Sequence, residues 1–125
     1  MIPNTKISQT IMDFGKAIIF KLPDDHTNEE FEAVIVIVIT VWNAVVIDCW
    51  NKNNQCEKDL LSTIGELPRE GQLDIKRLIK RKKTKYYSDI RGVGEYWIRE
   101  DNGEALFGCE ARLNVENIPA VSTQH

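Results

Sequence analysis

Residues 33–47 form a run that is apolar except for Thr40 and Asn43, Ala33-Val34-Ile35-Val36-Ile37-Val38-Ile39-Thr40-Val41-Trp42-Asn43-Ala44-Val45-Val46-Ile47, and no Gly or Pro occurs between Glu29 and Trp50. Such a run is a membrane span, a buried strand or a core helix. As a span its 15 residues rise only about 22 Å against a hydrocarbon core of about 30 Å. Glu32 and Asp48 bracket it and no basic flank exists, which argues against a membrane. The β-branched residues 34–41 suit a strand, but the length of the whole run favours a helix. Thr27 and Glu30 supply a capping box at its start, and Glu29, Glu30 and Glu32 suit the positive end of the helix dipole. We expect a central helix over about 28–51. Its β-branched content makes it intrinsically poor, so burial must hold it. A helix apolar all round has to be covered all round, by the rest of the chain or by a second copy in a homodimer.

The flanking segments provide that cover. Ile7, Ile11, Phe14, Ile18 and Leu22 recur at helical spacing, with Met12 and Ile19 widening the face and Pro23 stopping it. Residues 51–56 read as a loop, 56–64 as a short helix ended by Gly65, and 69–87 as a further helix with Pro68 in its first turn. On that helix Ile75, Leu78, Ile79, Lys82 and Tyr86 share one side. The period then changes to two. Asn102-Gly103 between alternating runs signals a hairpin over about 93–114. A two-residue turn there makes paired positions sum to 205, placing Ile98 opposite Phe107 and Tyr96 opposite Cys109 on one apolar face with Ala105 and Ala111. Trp97 then stands opposite Gly108 on the other face. Residues 115–125 read as a loose tail. At 125 residues the chain is expected to be one α+β domain: three to four helices around the central one, with a C-terminal antiparallel hairpin.

Charge narrows the function. The net charge is −3, which excludes a globally basic nucleic-acid binder. Yet residues 76–85 carry seven cations and no acid, leaving 9 basic against 19 acidic residues elsewhere. On a helix Lys76, Lys80 and Lys83 form one stripe and Arg77, Arg81 and Lys85 another. Like charges at i,i+4 cost a few tenths of a kcal/mol per pair, so something should offset them. One candidate is a phosphate backbone, with Tyr86 and Tyr87 to stack on bases. Another is an acidic partner protein. The third is balance at a distance by Asp24, Asp25, Glu29, Glu30 and Glu32. The candidate binding set for an anionic partner is Lys76, Arg77, Lys80, Arg81, Lys83, Lys85 and Tyr87.

Catalytic patterns are weak. His26 and His125 are the only histidines, no GxSxG or HExxH occurs, and Gly92-Val93-Gly94 precedes a strand and reads as a turn. Three cysteines without CxxC give no zinc spacing, and with no apolar leader at Met1–Lys6 they suggest the cytosol and reduced thiols. Neither cofactor nor metal is expected. Asn43 and Asp48 are polar groups on the most apolar helix; Asn43 should bridge to a neighbouring helix or backbone. The alternative, a polar pocket with Trp42, Asp48 and Trp50, would be functional. The reading is thus a small non-enzymatic cytosolic interaction or regulatory domain, or else an RNA- or DNA-binding module using 76–85.

Overall fold

The apolar run coils. A computed structural model describes residues 6–113 and places the run inside α2, Asn28–Asn51. The capping box forms as its residues require: Thr27 Oγ1 accepts from the Glu30 N–H at 3.1 Å, and Glu30 Oε1 accepts from the Thr27 N–H at 2.8 Å. Lys52, in the left-handed region at φ 56°, ends the helix. By length and hydropathy α2 meets the requirements of a membrane span, but 56% of its most apolar window is buried within the fold.

Three helices and a hairpin wrap α2. Helix α1 spans Ile7–Ile19, α3 Gln55–Thr63, α4 Arg69–Thr84, and strands β1 Gly92–Asp101 and β2 Glu104–Arg112 form a two-stranded antiparallel sheet. The core runs from Ile11 and Phe14 of α1 through Ile35, Val38 and Trp42 of α2 to Leu78 and Ile79 of α4. At the α1–α2 crossing a Cβ on Gly15 would lie 2.6 Å from Val38 Cγ2, so glycine sets how closely the helices approach. Phe14, Trp42 and Tyr86 meet edge-on, with centroids 5.1 to 5.8 Å apart. Each such pair adds about 0.5–1.5 kcal/mol beyond burial.

The boundaries shift for local reasons. Helix α1 ends at Ile19, short of Leu22, because the N–H groups of Lys21 and Leu22 bond three residues back. That tightening suits a chain approaching Pro23. Helix α3 passes into a 3-10 turn, Ile64–Glu66, instead of stopping at Gly65, and Pro68 caps α4 from outside its first turn. Helix α4 ends at Thr84, not 87, and Tyr86 turns into the core. The expected tail, 115–125, lies outside the described residues, as does residue 114 of the expected hairpin.

The hairpin keeps its register from Tyr96↔Cys109 to Asp101↔Glu104, with Asn102 and Gly103 at φ 53° and 83° in the turn. It changes register between Val93 and Tyr96, where Gly94 and Glu95 oppose the single Glu110. This bulge lets both backbone groups of Val93 meet Asn43: the Val93 N–H donates to Oδ1 at 2.7 Å, and Nδ2 donates to the Val93 carbonyl at 2.9 Å. Ala111, expected on the apolar face, is exposed beyond the bulge. The cover of α2 is also incomplete. Ala33, Val36 (41% exposed) and Ile37 (39% exposed) form a bare strip on its N-terminal half.

Candidate functional site: the groove between the third and fourth helices

The seven cations of 76–85 do not act as one patch. Helix α4 runs antiparallel to α1, with Lys21 bonded to Glu70 and Asp74 at one end and Asp13 facing Arg81 and Lys85 at the other. Arg81 is half-buried, donating to the carbonyls of Phe14 at 3.2 Å and Asp13 at 3.1 Å and pairing with the Asp13 carboxylate at 3.4 Å. Lys16, Lys85 and the Tyr86 hydroxyl converge on the same carboxylate. Burial pushes the Asp13 carboxyl up, but Lys16 and Lys85 together hold it below its ordinary value. Arg77 pairs with Asp74, and Lys83 with Glu57 of α3.

Lys82 is buried at 2% exposure, as its place among Ile75, Leu78 and Ile79 implies. Its Nζ donates to the carbonyls of Tyr86 at 2.7 Å and Asp89 at 2.8 Å and lies 4.3 Å from the Trp42 ring centre. Burial pushes its pKa down to about 8, against the pull of Asp89 and Cys49. The neighbouring Asp89–Arg91 ion pair is also buried at 2.7 Å, and Arg91 donates to the Thr10 hydroxyl. Lys82 and this pair fix the chain between α4 and β1. Asp89 and Arg91 sit outside any helical or alternating pattern, so periodicity does not reveal them.

The acids that balance α4 are therefore Asp13, Asp74 and Glu57, not Asp24, Asp25, Glu29, Glu30 and Glu32. Those five sit at the start of α2, whereas Lys82 and Lys83 lie against its end and the start of α3. A 24-residue helix separates the two places by about 36 Å. Tyr86 is committed to the aromatic cluster, which leaves Tyr87, 71% exposed, as the accessible ring.

Lys76 and Lys80 remain: among the described residues neither makes an ion pair. With Lys83 they rim a groove of about 440 Å³ between α3 and α4, whose floor includes Leu61 and Ile79. The first predicted stripe is thus one wall of a concavity. Arg77, Arg81, Lys85 and Tyr87 do not line it. Helical periodicity and charge do not identify α3 as the other wall, to which Leu61 contributes.

A second hollow, of about 240 Å³, lies at the end of α2 beside Asp48, Cys49, Lys82 and Tyr87. Its buried Asp48 and Lys82 are already engaged. Asp48 accepts from the N–H groups of Cys56 at 2.8 Å and Glu57 at 2.9 Å, capping α3 from another helix, and Lys82 holds the two carbonyls. His26, bonded to the Pro23 carbonyl and stacked on Phe31, is at the far end of α2, so it forms no dyad with Cys49. Asn43, Asp48, Trp42 and Trp50 make no shared polar pocket; Asn43 bridges to backbone, as expected. No group of His, Cys, Asp or Glu among the described residues is arranged to hold a metal ion. In comparison with known proteins, no family, curated sequence or solved structure matches the chain.

Proposed function

We propose that the chain is a small non-enzymatic interaction domain of the cytosol, docking an acidic amphipathic segment of a partner protein between α3 and α4. The observation that carries this reading is the combination of an apolar floor, Leu61 and Ile79, with lysines along one rim. Lys76 to Lys83 extends about 10 Å along α4, two turns of a helix, which suits two turns of a partner helix. Apolar side chains of such a segment would fill the floor, and its carboxylates would meet Lys76 and Lys80. The surface is small, so the association belongs to the weak, transient class.

A nucleic acid fits the same features less well. It has phosphates for Lys76 and Lys80 but nothing for the floor to recognise, and most of the remaining cations are held by acids of the fold.

The test is fluorescence anisotropy with three labelled probes. They are a helical peptide with leucines on one face flanked by glutamates, the same composition with its leucines dispersed, and a single-stranded oligonucleotide. The amphipathic peptide should bind most tightly, and a double Lys76→Glu, Lys80→Glu variant should lose at least about tenfold in affinity, equal to about 1.4 kcal/mol. Equal binding of both peptides, or preferential binding of the oligonucleotide that weakens steeply with salt, overturns the reading.

A further inference from the structure

The bare strip on α2 and the free edge of the sheet adjoin each other. Around α2, at about 100° per residue, Asn28, Glu32 and Asn43 share one flank, and they bond to Glu100, Tyr96 and Val93 of β1. The next flank, on the side of residues 33, 36 and 37, carries the exposed strip. Strand β2 instead packs towards α1. The outer edge of β1 therefore borders the strip, and among the described residues no strand pairs with that edge.

The edge has a defined pattern. In a two-residue hairpin the positions flanking the turn exchange hydrogen bonds, and the direction of the backbone groups then alternates. Those of Arg99 and Trp97 face β2, while those of Ile98 and Tyr96 face outward. Two copies of β1 pairing antiparallel about Trp97 would place Tyr96 opposite the second copy's Ile98, using these outward groups. The same register sets Trp97 beside its counterpart and Glu95 opposite Arg99, twice by symmetry. Both charged side chains are exposed, and Trp97 is 40% exposed.

We infer that the chain forms a two-fold homodimer through β1, joining two hairpins into one four-stranded sheet and bringing the two bare α2 strips together beneath it. Self-complementary charge in a single register, above an apolar strip that nothing else covers among the described residues, selects a second copy as the occupant. The surface is separate from the α3–α4 groove.

Sedimentation equilibrium of the whole chain tests this. The unaltered protein should dimerise. Glu95→Arg and Arg99→Glu each place like charges opposite one another and should each raise the dimer dissociation constant about tenfold. An equimolar mixture of the two variants should recover the original affinity as a heterodimer, a result that loss of folding could not produce. Val36→Asp, on a strip already exposed in the single chain, should also weaken the dimer. The groove variant, Lys76→Glu with Lys80→Glu, should leave it unchanged. A protein that stays monomeric throughout the accessible concentration range overturns the inference, and so does a dimer indifferent to both charge reversals.

Discussion

Helices α2 and α4 begin from opposite compositions and solve the same problem. The first is apolar from Ala33 to Ile47 except at Thr40 and Asn43, and the second half of the other carries five cations in eight residues. In each, the residues that break the rule of position bind backbone rather than side chains. Asn43 on α2 takes the N–H and C=O of Val93, and Asp48 takes two N–H groups of α3. Lys82 on α4 takes two carbonyls of the following loop. All three are buried. A buried polar group stays in place only when bonded, and here each fixes a segment that no regular ladder holds. The difference lies in what remains outside: α2 leaves an apolar strip, and α4 leaves two lysines.

The comparison breaks most sharply at Asn43. Asn43→Ala leaves both Val93 groups buried without partners and opens a small cavity. At about 1–3 kcal/mol for each of the two orphaned groups, the loss in chemical denaturation should be about 2–6 kcal/mol. A loss under about 1 kcal/mol would mean that water replaces the amide and that the bulge does not depend on it.

This contact also marks how far the sequence could be read. The capping box, the helical spacing of α1 and the Asn-Gly turn are local signals, and each yields its element. That Asn43 must bridge to something is legible from its polarity on an apolar helix. That the partner is Val93, and that β1 bulges to reach it, depends on residues 50 positions apart and on no pattern in either segment. The groove is half legible for the same reason. The Lys76–Lys80–Lys83 stripe follows from helical periodicity, but its other wall depends on how α3 packs. The neutralising acids are not legible from charge counting, which ignores direction along a helix, because α4 points away from the start of α2.

Lys82 sharpens the comparison through pH. Its pKa of about 8 lies below the ordinary 10.5, so between these values the unfolded chain binds more protons and stability rises with pH. Burial pushes the Cys56 and Cys109 thiols from 9.0 up to about 11 and about 12. Each therefore removes stability once pH passes 9.0, where the unfolded thiols ionise first. Two thiols outweigh one amine. Unfolding free energy should climb from about pH 8 to a maximum near 9 and then fall. Lys82→Met should abolish the rising limb and keep the falling one. A rising limb that survives the substitution assigns it to another group.

The smallest effects belong to the two lysines that face solvent. Lys76→Ala and Lys80→Ala remove no ion pair and relieve repulsion along one stripe, so each should change stability by no more than about 0.5 kcal/mol. Arg81→Ala loses three bonds to Asp13 and Phe14 together with the contact of its guanidinium over the Tyr86 ring. It should cost about 1–3 kcal/mol, since two carbonyls lose a charged donor. The contrast tests whether the cationic run is two populations, one structural and one available for binding. If Lys80→Ala destabilises the fold as much as Arg81→Ala, both stripes serve the fold and the groove loses the uncommitted charge on which its recognition of an acidic segment depends. If Arg81→Ala is as mild as Lys80→Ala, the cations act as one solvated face, and the offset for their mutual repulsion must be sought in a bound anion rather than in Asp13.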